Sequence, residues 1–211
     1  MRDESPAQGY FFPNKMGRMV LLALEEVLGR NGLNTVLNLA RLSYLSAGYP
    51  PPNFVLAVPF DEVAALLGAI DEMYGTQSGQ LLAFRAGRAC FKYGIRDLGA
   101  LVGLADVGLR LLPLSWRVRI GCEVLAEILN RYSDYRVSLR QDDESYLWVA
   151  ERCGICWQRQ TNYPACALTV GLLQETLYWV SGGRKFAVEE ISCIAMGDAT
   201  CTLRVGKRAQ A

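Results

Sequence analysis

The sequence predicts an α+β domain: a helical N-terminal half packed on a four-stranded antiparallel sheet, with one further helix inserted among the strands. Three observations carry this. From Met16 to Tyr132 apolar residues recur at intervals of three and four, the period of an amphipathic helix. At Asp134 the pattern changes to alternation, as in a strand with one wet face. The helical signal returns once, over about Ala165 to Ser181, before alternation resumes to the end. The 211 residues suffice for one sizeable core, so the expected organisation is an arm over 1–14 and a single domain over 15–211.

In the arm, Tyr10, Phe11 and Phe12 are aromatics that must pack somewhere, either on the domain's own core or in a dimer contact. Met16, Met19, Val20, Ala23, Leu24, Val27 and Leu28 form the first helical stripe, ending near Gly29 or Gly32. Asn34 is placed to cap a second helix through about Leu45. Leu42 to Phe60 is a run without charge and nearly long enough to span a membrane, but Pro50, Pro51, Pro52 and Pro59 cannot continue a helix. It therefore reads as a turn and an extended segment. Asp61 caps a third helix that stops at Gly75. Two long helices follow, about 79–93 and 98–112, closed by Gly94 and Pro113, and a sixth covers Trp116 to Tyr132. Cys90 and Cys122 lie among apolar neighbours within these helices and read as packing residues. Val137 and Leu139 mark the first strand, Ser145 to Glu151 the second, and Lys185 to Ala195 and Thr200 to Val205 the last two.

Composition excludes several classes of function. Lys plus Arg number 22 and Asp plus Glu 21, a net charge of +1 that offers no footprint for nucleic acid or an anionic membrane. Between Arg85 and Arg119, however, seven basic residues face only Asp97 and Asp106, which makes this region a solvated helix face or a pocket for a carboxylated ligand. The absence of histidine removes the commonest general base and metal ligand. No apolar signal segment follows Met1-Arg-Asp-Glu-Ser-Pro6, so a cytoplasmic location is expected, with the seven cysteines as reduced thiols or metal ligands.

Five of those cysteines gather towards the C-terminus. Cys193 and Cys201 flank Gly197-Asp198, so a turn there would bring them face to face across a hairpin, close enough to share an ion or a disulfide. Cys166 begins the last helix, where a helix N-terminus favours a thiolate. Glu190 would complete a tetrahedral set. Glu190 and Cys193 are three apart, so a regular strand would point them to opposite faces, and a bulge or strand end between them is required. The Cys153-x-x-Cys156 pair makes a half-site for metal or a redox pair, able to replace Glu190 and one sulfur or to form a second site. Burial as small core residues is the alternative for all of them.

With Cys166, Glu190, Cys193, Gly197-Asp198 and Cys201 lined up, the stretch from about Asp134 to Val205 resembles the 4-vinyl reductase domain family of hydrocarbon-binding proteins, known from bacteriochlorophyll-associated proteins and aromatic sensors. The resemblance implies a fold similar to the TRAPP small subunits and to NO-signalling ligand-binding domains. It also implies zinc as cofactor, held by Cys166, Glu190, Cys193 and Cys201, and pairing into a homodimer. The sensors' phenol-binding histidine has no counterpart here.

The leading function is then a binding module for a hydrophobic small molecule, a tetrapyrrole or a hydrocarbon, and the resemblance implies an association with bacteriochlorophyll biosynthesis. Its pocket would be lined by Phe84, Phe91, Tyr93, Trp116, Trp148 and Trp179 and open near the basic region. A vinyl-reducing enzyme is the rival, although no dinucleotide-binding glycine motif follows a strand. A scaffold subunit without a ligand is the third reading.

Overall fold

In a computed structural model, which describes residues 9–210 and, within these, the side chains of all but 97–110, the chain has two sheets and five α-helices. Strand β1 (Phe11–Pro13) pairs antiparallel with β2 (Leu56–Pro59). Helices α1 (Asn14–Leu39), α2 (Phe60–Tyr74), α3 (Thr76–Arg110) and α4 (Leu114–Tyr132) form the helical half. Strands β3 (Arg136–Gln141), β4 (Ser145–Arg152), β5 (Phe186–Ser192) and β6 (Cys201–Ala209) form the main sheet in the order β3-β4-β6-β5, all antiparallel. Helix α5 (Ala167–Ser181) lies between β4 and β5 in the chain and packs on α3, α4 and β5.

The predicted class and the four-stranded antiparallel sheet are therefore present, with local differences. The first two expected helices run on as α1 but meet at a kink: Gly29 takes the non-helical φ 72°, ψ 162°, at the break expected near Gly29 or Gly32. Asn34 lies inside α1 and caps nothing; its Oδ1 is buried without a partner. Pro59 rather than Asp61 is the N-cap of α2, and Asp61 sits in the first turn, where a carboxylate complements the helix dipole. The two helices expected over 79–93 and 98–112 are the single α3: Gly94 costs helix propensity, roughly 1 kcal/mol, yet the turn continues. The described part of the arm, from residue 9, packs on the chain's own core. Phe12 is buried with its ring 4.4 Å from that of Phe60, and Tyr10 stands edge-on to Trp157 at 5.1 Å. No helix among the described residues is long and apolar enough to cross a membrane.

The tightest contact in the fold is backbone to backbone. A Cβ added to Gly87 of α3 would overlap the carbonyl of Leu168, and one added to Gly171 of α5 would overlap the carbonyl of Phe84. Each helix thus approaches the other through the gap left by a missing side chain, and the crossing fixes where α5 begins. Gly171→Ala should destabilise the protein by about 1–3 kcal/mol or more, since neither backbone can yield locally. A urea titration checks this, and an unchanged midpoint would show that the helices can separate without loss.

Candidate functional site

Four element ends meet at one edge of the main sheet. β4 ends at Arg152, immediately before Cys153, and β6 starts at Cys201, which is registered opposite Ala150 of β4. β5 ends at Ser192, immediately before Cys193, and α5 starts after its N-cap, Cys166. Antiparallel order puts the end of β4, the start of β6 and the end of β5 side by side, so residues distant in sequence collect there. The bulge required between Glu190 and Cys193 is present as a register shift between Glu190 and Ser192. The connection from Cys193 to Cys201 is longer than a tight hairpin: a 3-10 turn over Ile194–Met196 precedes Gly197, which takes φ 97°.

The result is a buried cluster of five free thiols and one carboxyl. Sulfur to sulfur, Cys156 and Cys201 are 3.3 Å apart, Cys153 and Cys166 3.5 Å, Cys166 and Cys201 3.7 Å, and Cys193 and Cys201 4.0 Å. Glu190 Oε2 accepts the Cys166 backbone N–H at 2.8 Å, while Oε1 is buried without a partner. The Ile194 N–H points at the Cys201 sulfur at 3.3 Å. The Tyr135 hydroxyl lies 3.0 Å from the Cys153 sulfur. The structure thus brings together Cys166, Glu190, Cys193 and Cys201, and also Cys153, Cys156, Cys166 and Cys201, as two tetrads of candidate ligands. Cys90 and Cys122 lie apart in the helical core, and burial pushes each thiol up to about 12.

Charge is shared unequally in the cluster. Hydrogen bonds from Cys156, Cys166 and Cys201 pull the Cys193 thiol down. At Cys153 burial opposes ionisation, but hydrogen bonds from its sulfur neighbours and Tyr135 outweigh it. In the cluster of free thiols Cys166 is held well above the ordinary thiol range, chiefly by its hydrogen bond to Cys153. Its backbone N–H serves Glu190. Burial, and then the nearby Cys193, push the Glu190 carboxyl up to about 8.

The segment from Cys153 to Cys166 is pinned by a buried ion pair. Asp71 of α2 accepts from Arg159 Nη2 at 2.7 Å, from the Tyr163 hydroxyl at 3.0 Å and from Gln80 at 2.9 and 3.0 Å. Sequence reading passed over this network, because nothing near Asp71 in the chain announces a partner 88 residues away.

Beside the cluster lies an apolar cavity of about 240 Å³ between α1, α3, α4 and α5. Met16, Met19, Cys90, Phe91, Leu125, Ile128 and Leu172 form its walls. Tyr135, Ile155 and Leu168 form the side next to the thiols, Ile155 lying between Cys153 and Cys156 in the chain. Tyr135 therefore touches both sites, with its ring on the cavity and its hydroxyl on Cys153.

Of the expected lining residues only Phe91 faces this cavity. Trp148 is buried in the core against Tyr135, Trp116 is exposed on α4, and Tyr93 lies under Arg96. Phe84 is half-buried beside the α3–α5 crossing, and Trp179 lines a separate surface groove with Lys92 and Arg96. The basic region is not the mouth: Arg85, Arg88, Lys92 and Arg96 are exposed and Arg88 pairs with Glu175, while the side chains of Asp97, Asp106 and Arg110 lie outside the described residues. The charged residue on the cavity is Lys15, whose Nζ stands 5.2 Å from the centre of the Phe54 ring.

No family model and no curated protein matches the chain. Solved structures do. A point mutant of the Fe(II) unliganded H-NOX protein from K. algicida superposes with a TM-score of 0.57 at 15% identity, covering 94% of this chain and 97% of that one. An H-NOX protein from S. oneidensis in the Fe(II)NO ligation state gives 0.51 at 13% identity, over 92% and 99%. A structure from work on heme distortion in the H-NOX family gives 0.52 at 14% identity, over 94% and 97%. The chain has the H-NOX fold. This fits the expected likeness to NO-signalling domains and corrects the assignment to the 4-vinyl reductase family, which no match supports; the vinyl-reductase reading loses its basis with it. The expectation of zinc is corrected too, since the metal centres of these neighbours are Fe(II) and heme.

Two predictions follow from the site's electrostatics. Asp71→Ala leaves Arg159 buried and unpaired and should cost about 3–5 kcal/mol, measured by denaturant unfolding. The native state holds the Glu190 proton more tightly than the unfolded chain does, so this group's stabilisation is complete at low pH. It is lost as pH rises from about 4.5 to about 8. Glu190→Gln keeps an acceptor for the Cys166 N–H, so melting of the reduced, chelator-treated variant should vary less over that window than wild type.

Proposed function

We propose that the protein is a binding module for a small apolar molecule held in the cavity between α1, α3, α4 and α5. The observation that carries this reading is the cavity itself, set between four helices and lined almost entirely by apolar side chains, with a few polar groups such as Lys15 and Thr169 among them. At about 240 Å³ it is smaller than the ~300–1,000 Å³ typical of drug-sized ligands, which favours a short hydrocarbon or acyl chain. The pairing of two copies belongs to the same proposal; its support is the exposed apolar residues Trp116 and Val124 on α4. A cytoplasmic setting is supported by the seven free thiols.

The heme named for the structural neighbours does not fit the residues here. Heme iron takes an axial His, Cys thiolate, Met or Tyr ligand, and the chain has no histidine. Of the groups on the cavity, Cys90 is held neutral, with its thiol on the Met19 carbonyl, and the Tyr135 hydroxyl is engaged by Cys153, which leaves only Met16, Met19 and Tyr132 as axial donors, so the misfit rests on charge and volume. Lys15 is the sole cation among the described lining residues, and the volume is too small for a macrocycle. A tetrapyrrole ligand is disfavoured on the same grounds, and no match supports a place in bacteriochlorophyll biosynthesis.

Gly94 lines the cavity, and a Cβ there would meet only the terminal methyl of Met19, at 3.4 Å. Gly94→Leu therefore fills the cavity without breaking α3, and leucine is the better helix former. Binding of anilinonaphthalene sulfonate should be saturable, competed by short alkanes and fatty acids, and weakened about tenfold or more in Gly94→Leu, about 1.4 kcal/mol. A variant that melts no lower than wild type yet binds equally well would place the ligand elsewhere.

A further inference from the structure

The geometry points to a two-ion thiolate centre, in which Cys166 and Cys201 bridge two thiophilic divalent metal ions. One ion is completed by Cys153 and Cys156, the other by Cys193 and Glu190.

The argument begins with the overlap of the two tetrads. They share Cys166 and Cys201, so six side chains supply the eight donor positions that two four-coordinate ions require, with none left over. A single ion would use four and strand the others: Cys193 and the orphaned Glu190 Oε1, or the Cys153 and Cys156 pair, all inside a water-poor volume. The spacing agrees. Metal–sulfur bonds of about 2.3 Å set tetrahedral sulfurs roughly 3.8 Å apart. Here Cys166 and Cys201 are 3.7 Å apart, Cys153 and Cys166 3.5 Å, and Cys193 and Cys201 4.0 Å. Cys201 lies between members of both tetrads, within 3.3 Å of Cys156 on one side and 4.0 Å of Cys193 on the other, as a bridge must.

Charge agrees as well. Five thiolates and a carboxylate would carry six negative charges, of which two divalent ions cancel four. The remainder meets donors already aimed at the cluster: the Ile194 N–H at Cys201, the Tyr135 hydroxyl at Cys153 and the Cys166 N–H at Glu190. Such outer contacts orient ligands and stabilise their charge. Each thiol that binds gives its proton to solvent, so loading releases protons and depends on pH. The centre is independent of any ligand in the cavity, and its failure would leave that reading untouched.

Cobalt(II) and cadmium(II) are the probes. Full-length protein, reduced, stripped by chelation and kept anaerobic, should take up two equivalents of either, with sulfur-to-cobalt charge-transfer absorption. It should show two ¹¹³Cd resonances, both shifted as for thiolate-rich sites. Cys153→Ser combined with Cys156→Ser should retain one equivalent, and so should Glu190→Gln combined with Cys193→Ser. The wild-type stoichiometry decides the matter even if a variant fails to fold. Saturation at one equivalent, or no uptake by protein with native circular dichroism, overturns the two-ion centre, as does two equivalents retained by either double variant.

Discussion

The close approach of α3 and α5 at Gly87 and Gly171 is the constraint on which the rest of the structure depends. Because the two backbones touch, α5 is held flat against α3. Its first turn, with Cys166, comes down on the edge of the sheet, and Leu168 and Leu172 face the same side as Cys90 and Phe91. A pair of side chains between the helices would lift α5 by several ångströms. The thiol cluster would then lose a member and the cavity would lose a wall.

Two sites of opposite character thus share one partition. On one side the walls are apolar and nothing competes with a hydrophobic ligand; on the other, five sulfurs and a carboxyl are gathered where water is scarce. Tyr135 is the partition's polar link. Burial and the neighbouring thiols keep its hydroxyl protonated, so it remains a donor to Cys153 while its ring packs against the cavity.

The Asp71–Arg159 pair holds this arrangement from outside. The segment between Cys153 and Cys166 has little regular structure, and a loop of this kind would ordinarily be mobile. Anchoring Arg159 and Tyr163 to one buried carboxylate on α2 restricts it, and so keeps Cys153 and Cys156 beneath the sheet edge. The ion pair is costly to break because either partner alone would be an uncompensated buried charge.

Periodicity alone determined the α+β class, the helical first half, the change to strands at Asp134 and the approximate bounds of α5, since repeats of 3.6 and 2.0 are local properties of the chain. The spacing about Gly197 also announced that Cys193 and Cys201 would meet, and side-chain parity demanded the bulge after Glu190 that β5 contains. The break at Gly29 was legible, but the continuation of α3 through Gly94 was not, because the packing on either side decides whether a glycine interrupts a helix. Nor were the cavity walls: aromatic residues such as Trp116 and Trp148 looked like lining, but exposure and core burial are settled by neighbours far away in the sequence. The sequence left open whether Cys153 and Cys156 join Cys166 and Cys201 or stand apart; tertiary structure decided it, because the antiparallel strand order carries the end of β4 to the start of β6.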